Sequence, residues 1–115
     1  MRKLIASVLV TLALVGAVAV GSASAATTTV SVKAGEFYFK FSKASLTKPG
    51  TVVFVLKNAG HVAHDLKING KKTPLISPGK TTKLTVVFKK AGRYHYLCTV
   101  PGHAEAGMQG TFIVR

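Results

Sequence analysis

The chain has 115 residues, a single cysteine, and sixteen Lys and Arg against three Asp and Glu, a net charge of +13. That length allows one small domain, and one cysteine excludes a disulfide within the chain. The lysines are spread along the chain rather than clustered, so nucleic acid is not an expected partner; the charge bears on acidic proteins and on an anionic membrane surface, not on the fold.

The chain opens on a targeting pattern. Met1-Arg2-Lys3 is a short basic start, residues 4–20 are almost wholly apolar, and Ala23-Ser24-Ala25 is a small-x-small cleavage pattern. Together they read as a secretory signal peptide over residues 1–25, cut after Ala25, which sends the protein to the periplasm or the cell exterior. The competing reading is a retained anchor helix. A span needs about 20 apolar residues, and this run is a little short and ends without a basic stop. The mature domain is then residues 26–115, with fourteen basic and three acidic residues and a net charge of +11. So small a domain needs an efficient core or a staple such as a metal. A lone cysteine in an exported chain also calls for an explanation, and a metal-held thiolate supplies one.

The mature chain reads as short strands with turn punctuation. Thr28-Thr29-Val30-Ser31-Val32-Lys33 alternates polar and apolar, and Ala34-Gly35 breaks it. Glu36-Phe37-Tyr38-Phe39-Lys40-Phe41 resumes with Phe37, Phe39 and Phe41 on one face, which reads as core. Pro49-Gly50 is a turn. Thr51-Val52-Val53-Phe54-Val55-Leu56-Lys57 is β-branched and nearly continuous in apolar residues, the signature of a central strand. Asn58-Ala59-Gly60 ends it, His61-Val62-Ala63-His64-Asp65 follows, and Leu66-Lys67-Ile68 is a short strand before the hairpin-type turn Asn69-Gly70. Residues 71–79, with Pro74, Pro78 and Gly79, read as a surface loop. Leu84, Val86 and Phe88 share one face of the next strand, Ala91-Gly92 turns, and Arg93-Tyr94-His95-Tyr96-Leu97-Cys98 runs into a loop. Gly110-Thr111-Phe112-Ile113-Val114-Arg115 is the closing strand. Helical periodicity is absent from the mature chain, with one helical turn allowed at 104–108. About seven or eight short strands at this spacing predict an all-β, antiparallel Greek-key sandwich.

The loop after the penultimate strand carries the chemistry. Cys98, His103 and Met108 stand five residues apart, a thiolate, an imidazole and a thioether on one short segment. Two histidines, one cysteine and a distant methionine describe a blue-copper electron-transfer site, and the loop offers three of those four donors. The second histidine must come from elsewhere. His95 is out of phase with Cys98 on its strand and belongs to the exposed face. His61 and His64 both remain open on this reasoning. Each donor has an ordinary alternative: a buried free cysteine acts as a small hydrophobe, a methionine as core filler, a histidine after Pro-Gly as a solvated loop residue.

Asn58-Ala59-Gly60 with His64-Asp65, then the strand ending in Cys98, then Pro101-Gly102-His103 and Gly107-Met108-Gln109-Gly110, resembles the cupredoxin family, the small blue copper proteins of plastocyanin and azurin type. The resemblance spans most of residues 28–115. It implies one type 1 copper ion with His64, Cys98, His103 and Met108 as ligands, and it leaves His61 as a loop residue near the site. It implies that Asp65 stands where plastocyanin and azurin usually carry an asparagine tying the two ligand loops; an aspartate there can accept hydrogen bonds, for instance from Thr99, but cannot donate. It places Tyr94 at the "tyrosine corner", whose hydroxyl bonds nearby backbone. It further implies a monomeric, non-enzymatic carrier of single electrons. The resemblance places the exit of the electron at the outer edge of His103, and the surrounding lysines would steer acidic redox partners of cytochrome or oxidase type to it. The cysteine flanks, Leu97 and Thr99, lack the histidines of a three-copper oxidase, and a two-copper site would need a second cysteine. The other class open to this sequence is a copper chaperone or storage protein outside the cytoplasm.

Overall fold

The computed structural model describes residues 27–115; the signal-peptide reading lies outside the described residues. Nine strands follow in order: β1 Thr28–Gly35, β2 Tyr38–Phe41, β3 Ser45–Leu46, β4 Gly50–Asn58, β5 Lys67–Ile68, β6 Lys71–Lys72, β7 Thr81–Phe88, β8 Gly92–Leu97 and β9 Gln109–Val114. They form two sheets, one in the order β2-β1-β4-β7 and the other β3-β9-β8-β5-β6.

Strand alternation places the core between the sheets. Val30 and Val32 of β1, Val52, Phe54 and Leu56 of β4, Val86 and Phe88 of β7, and Phe112 and Val114 of β9 are all buried. Phe54, Phe88 and Phe112 meet with ring centroids 5.5–6.2 Å apart. Each such ring contributes about 1.5–3 kcal/mol by leaving water, which is how so small a domain builds a core. As its composition predicts, β4 is a central strand, flanked by β1 and β7. The Asn69-Gly70 turn joins β5 to β6 with both residues at positive φ, 50° and 72°, the backbone that a two-residue hairpin requires. The Tyr94 hydroxyl donates to the Lys90 carbonyl at 2.6 Å, closing the expected tyrosine corner.

The all-β sandwich is as expected, and two of its strand pairs run parallel, which the sequence reading did not specify. β1 and β4 pair in parallel, with Val30 opposite Phe54, and β3 and β9 pair in parallel, with Ser45 opposite Ile113. After the β1–β2 hairpin the chain crosses to the second sheet at β3 and then returns beside β1, so β4 runs the same way as β1. The consequence is positional. The turn after β1 and the loop after β4 leave the sandwich at the same end, and the Ala59 amide donates to the Ala34 carbonyl across them at 2.8 Å.

Two further readings shift. Phe39 and Phe41 pack on the core, but Phe37 lies in the β1–β2 turn and is 43% exposed. Residues 71–79 are not wholly surface: β6 starts there, and Thr73 and Ile76 are buried beneath the loop that follows β4.

Candidate metal centre

The end of β4 builds the first wall of the site. Asn58 is fully buried, and its side chain organises the turn after it. Its amide nitrogen donates to the Val62 and Ile76 carbonyls at 2.8 and 2.9 Å, and its oxygen accepts the Gly60 amide at 2.9 Å. His64 is then pinned against Ile76, donating to its carbonyl and accepting its amide at 3.2 and 2.9 Å. Backbone bonds on both sides hold the ring in place, and it is fully buried.

The second wall is the loop from β8 to β9. The Cys98 amide donates to the Met108 carbonyl at 3.0 Å, and the Met108 amide donates to the His103 carbonyl at 3.0 Å. Hydrogen-bonded turns follow, with the Ala106 amide reaching the Gly102 carbonyl at 3.2 Å and the Gly107 amide the Ala104 carbonyl at 3.0 Å; they do not continue into the helical turn allowed at 104–108. Met108 is fully buried and Cys98 is 1% exposed, whereas His103 is half-buried.

Three donor atoms meet where the walls face each other. His64 Nδ1 and His103 Nδ1 are 3.2 Å apart, and Cys98 Sγ lies 3.6 Å from His103 Nδ1 and 4.0 Å from His64 Nδ1. Metal–nitrogen and metal–sulfur lengths of about 2.0 and 2.3 Å, as for zinc, put the donors of a trigonal site about 3.5 and 3.7 Å apart. The observed cup fits a metal ion of that size without rearrangement. Its soft sulfur with two imidazoles suits copper. Burial pushes the Cys98 thiol above its usual pKa, opposed by the Asp65 and Val100 amides. In the free protein that favours the neutral thiol; a cation in the cup would favour the thiolate.

The two walls are tied by Asp65. Its buried carboxylate accepts the Thr99 amide at 2.6 Å and, through a second short bond, the Thr99 hydroxyl. The expected Thr99 partner is therefore present, and acceptance alone suffices for the tie. Lys72 Nζ stands 4.0 Å from the same carboxylate.

His61 and His95 are exposed and stand outside the cup. His95 pairs instead with the Gln109 side chain at 3.0 Å. Two residues that sequence reasoning passed over are at the site. Glu36, in the β1–β2 turn, accepts the His61 and Val62 amides at 2.6 and 2.9 Å, and its Oε1 lies 3.3 Å from His64 Nε2. Its carboxyl is held below the ordinary range, first by the His61 amide. Phe37, its neighbour, sets its ring edge-on to His103 with centroids 4.9 Å apart. The available signal was a break in parity. Gly35 ends β1, so Glu36 and Phe37 fall in a turn, not on the strand that carries Phe39 and Phe41.

A two-sheet sandwich with a buried His–Cys–His cup at one end defines a copper-binding β-sandwich. The chain belongs to the plastocyanin/azurin family of copper binding proteins, whose model matches residues 17–115. It is similar to the copper-resistant cuproprotein CopI of Pseudomonas aeruginosa, 27% identical over 81% of this chain and 79% of the relative. CopI of Rubrivivax gelatinosus is 29% identical, over 83% of this chain and 71% of the relative. Among solved structures, auracyanin from Roseiflexus castenholzii superposes with a TM-score of 0.65 at 22% identity, covering 78% of this chain and 98% of that one. Auracyanin A of Chloroflexus aurantiacus, a "blue" copper protein, gives 0.64 at 25% identity, covering 78% and 100%. The family carries a single type 1 copper, and the donors present here fit it.

Proposed function

We propose that this protein is an exported, non-enzymatic carrier of single electrons, with His64, Cys98, His103 and Met108 as the ligands of its copper. One observation carries the reading: two imidazole Nδ1 atoms and one cysteine sulfur converge in one cup, and the segment that supplies two of them also supplies a buried methionine. Copper bound there supplies a one-electron Cu(II)/Cu(I) couple, and a trigonal set with a weak axial thioether suits both states. Hydrogen bonds outside the donor set hold the cup's shape. Ile76 fixes the His64 backbone, Asn58 bonds the Ile76 carbonyl in turn, and Asp65 locks the Cys98 loop to the His64 segment. Little rearrangement is then needed when the charge changes.

The electron would leave by His103, the one cup residue with surface exposure. Pro101 and Gly102 are exposed beside it, and Phe37 covers one edge of its ring. A net charge of +11 on the mature chain would steer acidic partners. Association with such a partner should slow as salt is raised; a rate indifferent to salt would remove the partner assignment.

The test of the ligand set is direct. Copper(II) added to the mature protein should give an intense charge-transfer band and narrow hyperfine splitting. Cys98→Ser should abolish both, and His64→Ala should do so where His61→Ala does not. A weakly coloured wild-type complex would refute the carrier reading.

A second reading is copper tolerance, favoured by the similarity to the copper-resistant cuproproteins CopI. A protein acting there by holding or passing on the metal would surrender copper to a competing chelator in one of its two redox states. A carrier would keep it through repeated cycles.

A further inference from the structure

We propose that Glu36 is a positioning residue of the metal site: its carboxylate accepts the outer N–H of His64, aims the ring's other nitrogen into the cup, and lowers the reduction potential of the copper. The inference rests on the copper reading above and adds to it a residue outside the ligand set.

His64 has two ring nitrogens with different surroundings. Nδ1 faces Cys98 and His103, and Nε2 faces Glu36 Oε1 at 3.3 Å. A metal ligand must present a lone pair, so the proton of a neutral ring has to sit on the other nitrogen. A carboxylate at Nε2 selects that tautomer and makes the ring a stronger donor. Glu36 Oε1 already takes the His61 and Val62 amides, at 2.6 and 2.9 Å, so its place is set before the ring arrives. The histidine contact is the longest of the three on one oxygen.

Space at this spot is reserved for the carboxylate. A Cβ on Gly60 would stand 2.5–2.8 Å from the Glu36 carboxyl atoms. Glu36 is one of three acidic residues in the chain, while His64 is completely buried. A negative charge on the back of a buried ligand favours the more positive oxidation state. It therefore stabilises Cu(II) over Cu(I) and lowers the potential.

A purely structural role is the competing account, since Glu36 also staples the loop at 61–62. Glu36→Gln separates the two, because the amide oxygen can still accept both backbone N–H groups while the charge is gone. The metal-free variant should then keep its fold and melt only modestly below wild type, because a neutral amide accepts the same N–H groups less strongly than a carboxylate. Second-ligand partners of this kind change metal affinity by about 10–100-fold. A tenfold loss of Cu(II) affinity relative to Cu(I) is a rise of about 59 mV in a one-electron potential. In the zinc-loaded, diamagnetic protein the slowly exchanging His64 Nε2–H resonance should move or vanish by proton NMR. Gly60→Ala, which displaces the carboxylate and keeps its charge on the chain, should shift the NMR signal and the potential in the same directions.

If Glu36→Gln leaves both the His64 resonance and the potential of a normally blue protein unchanged, the carboxylate is a staple only and the inference is overturned. If wild type itself forms no blue copper complex, the carrier reading fails instead, and the zinc-loaded NMR arm still decides whether Glu36 orients the ring.

Discussion

Gly107→Ala tests whether the β1–β2 turn is pressed against the metal loop. Gly107 precedes Met108 and has φ of 132°, a backbone that side chains rarely adopt. An added Cβ would stand 2.6 Å from the Phe37 carbonyl oxygen, inside the 3.0 Å that real Cβ contacts essentially never cross. The neighbouring atom is backbone, so no side chain can swing aside. Gly102 is the internal control. It lies on the same loop at φ 83°, and an added Cβ there meets nothing within 4 Å. Gly102→Ala should therefore cost only the conformational term, about 1–2 kcal/mol. Gly107→Ala adds an overpacking term of about 1–3 kcal/mol.

For a domain of this size 1 kcal/mol moves the melting temperature by about 4–8 °C. Metal-free Gly107→Ala should then melt roughly 4–24 °C below metal-free Gly102→Ala. The copper forms should separate as well. Moving Phe37 disturbs the ring on His103 and drags the adjoining Glu36 from His64. Copper(II) EPR parameters should change in Gly107→Ala and stay near wild type in Gly102→Ala. Equal melting temperatures and identical spectra in the two variants would refute the idea that the turn braces the loop.

Asp65→Ala should cost about 1–3 kcal/mol by leaving the Thr99 donors unmet; a double-mutant cycle with Thr99→Ala by chemical denaturation should return a coupling of about 0.5–3 kcal/mol. Met108→Leu keeps the volume of a fully buried side chain, so the fold should survive at a cost below about 1.5 kcal/mol, while voltammetry should show a higher potential because copper(I) tolerates the loss of a donor better than copper(II). Burial raises the Tyr96 phenol above its ordinary pKa. Its contribution is fully present below the unfolded value of about 10 and is lost as pH rises through the folded one. The stability gap between wild type and Tyr96→Phe should accordingly be flat in the neutral range and shift against wild type in alkali; a gap that keeps its neutral-range value through alkaline pH would exclude this.

The core was legible because strands announce themselves by parity. Val30 and Val32 alternate with Thr29, Ser31 and Lys33, and the structure buries both valines. The cup's sulfur and loop histidine were legible because they are local, five residues apart on one loop. His64 was not separable from His61 by spacing; only the family resemblance favoured it. The structure supplies the physical reason, since the Ile76 bridge buries His64 and leaves His61 outside. What the sequence hid depends on pairing direction. With β1 and β4 antiparallel, the turn after β1 would lie at the far end of the sandwich, and Glu36 would be one more solvated charge. Parallel pairing brings it to the metal end, beside a histidine 28 residues away. Phe37 was misread for a local reason: β1 ends at Gly35 and β2 begins at Tyr38, so Phe37 belongs to the turn and not to the inward face of β2.

The two sides of the cup are held in different ways, and that difference bears on the electron exit proposed at His103. His64 is fixed by long-range bonds: Ile76 twelve residues on, the buried Asn58 behind it, and Glu36 from another strand pair. His103 is held mainly by its own loop, through the Val100 and Met108 backbone, with Phe37 as its one aromatic neighbour from outside the cup. On the proposed carrier reading, the buried side would set the geometry and the potential, and His103, with Phe37 against one edge of its ring, would be the face that a redox partner meets. Asp65 joins the halves by way of Thr99, next to Cys98 in the chain, so the sulfur shared by both sides sits at the point where the two loops are locked.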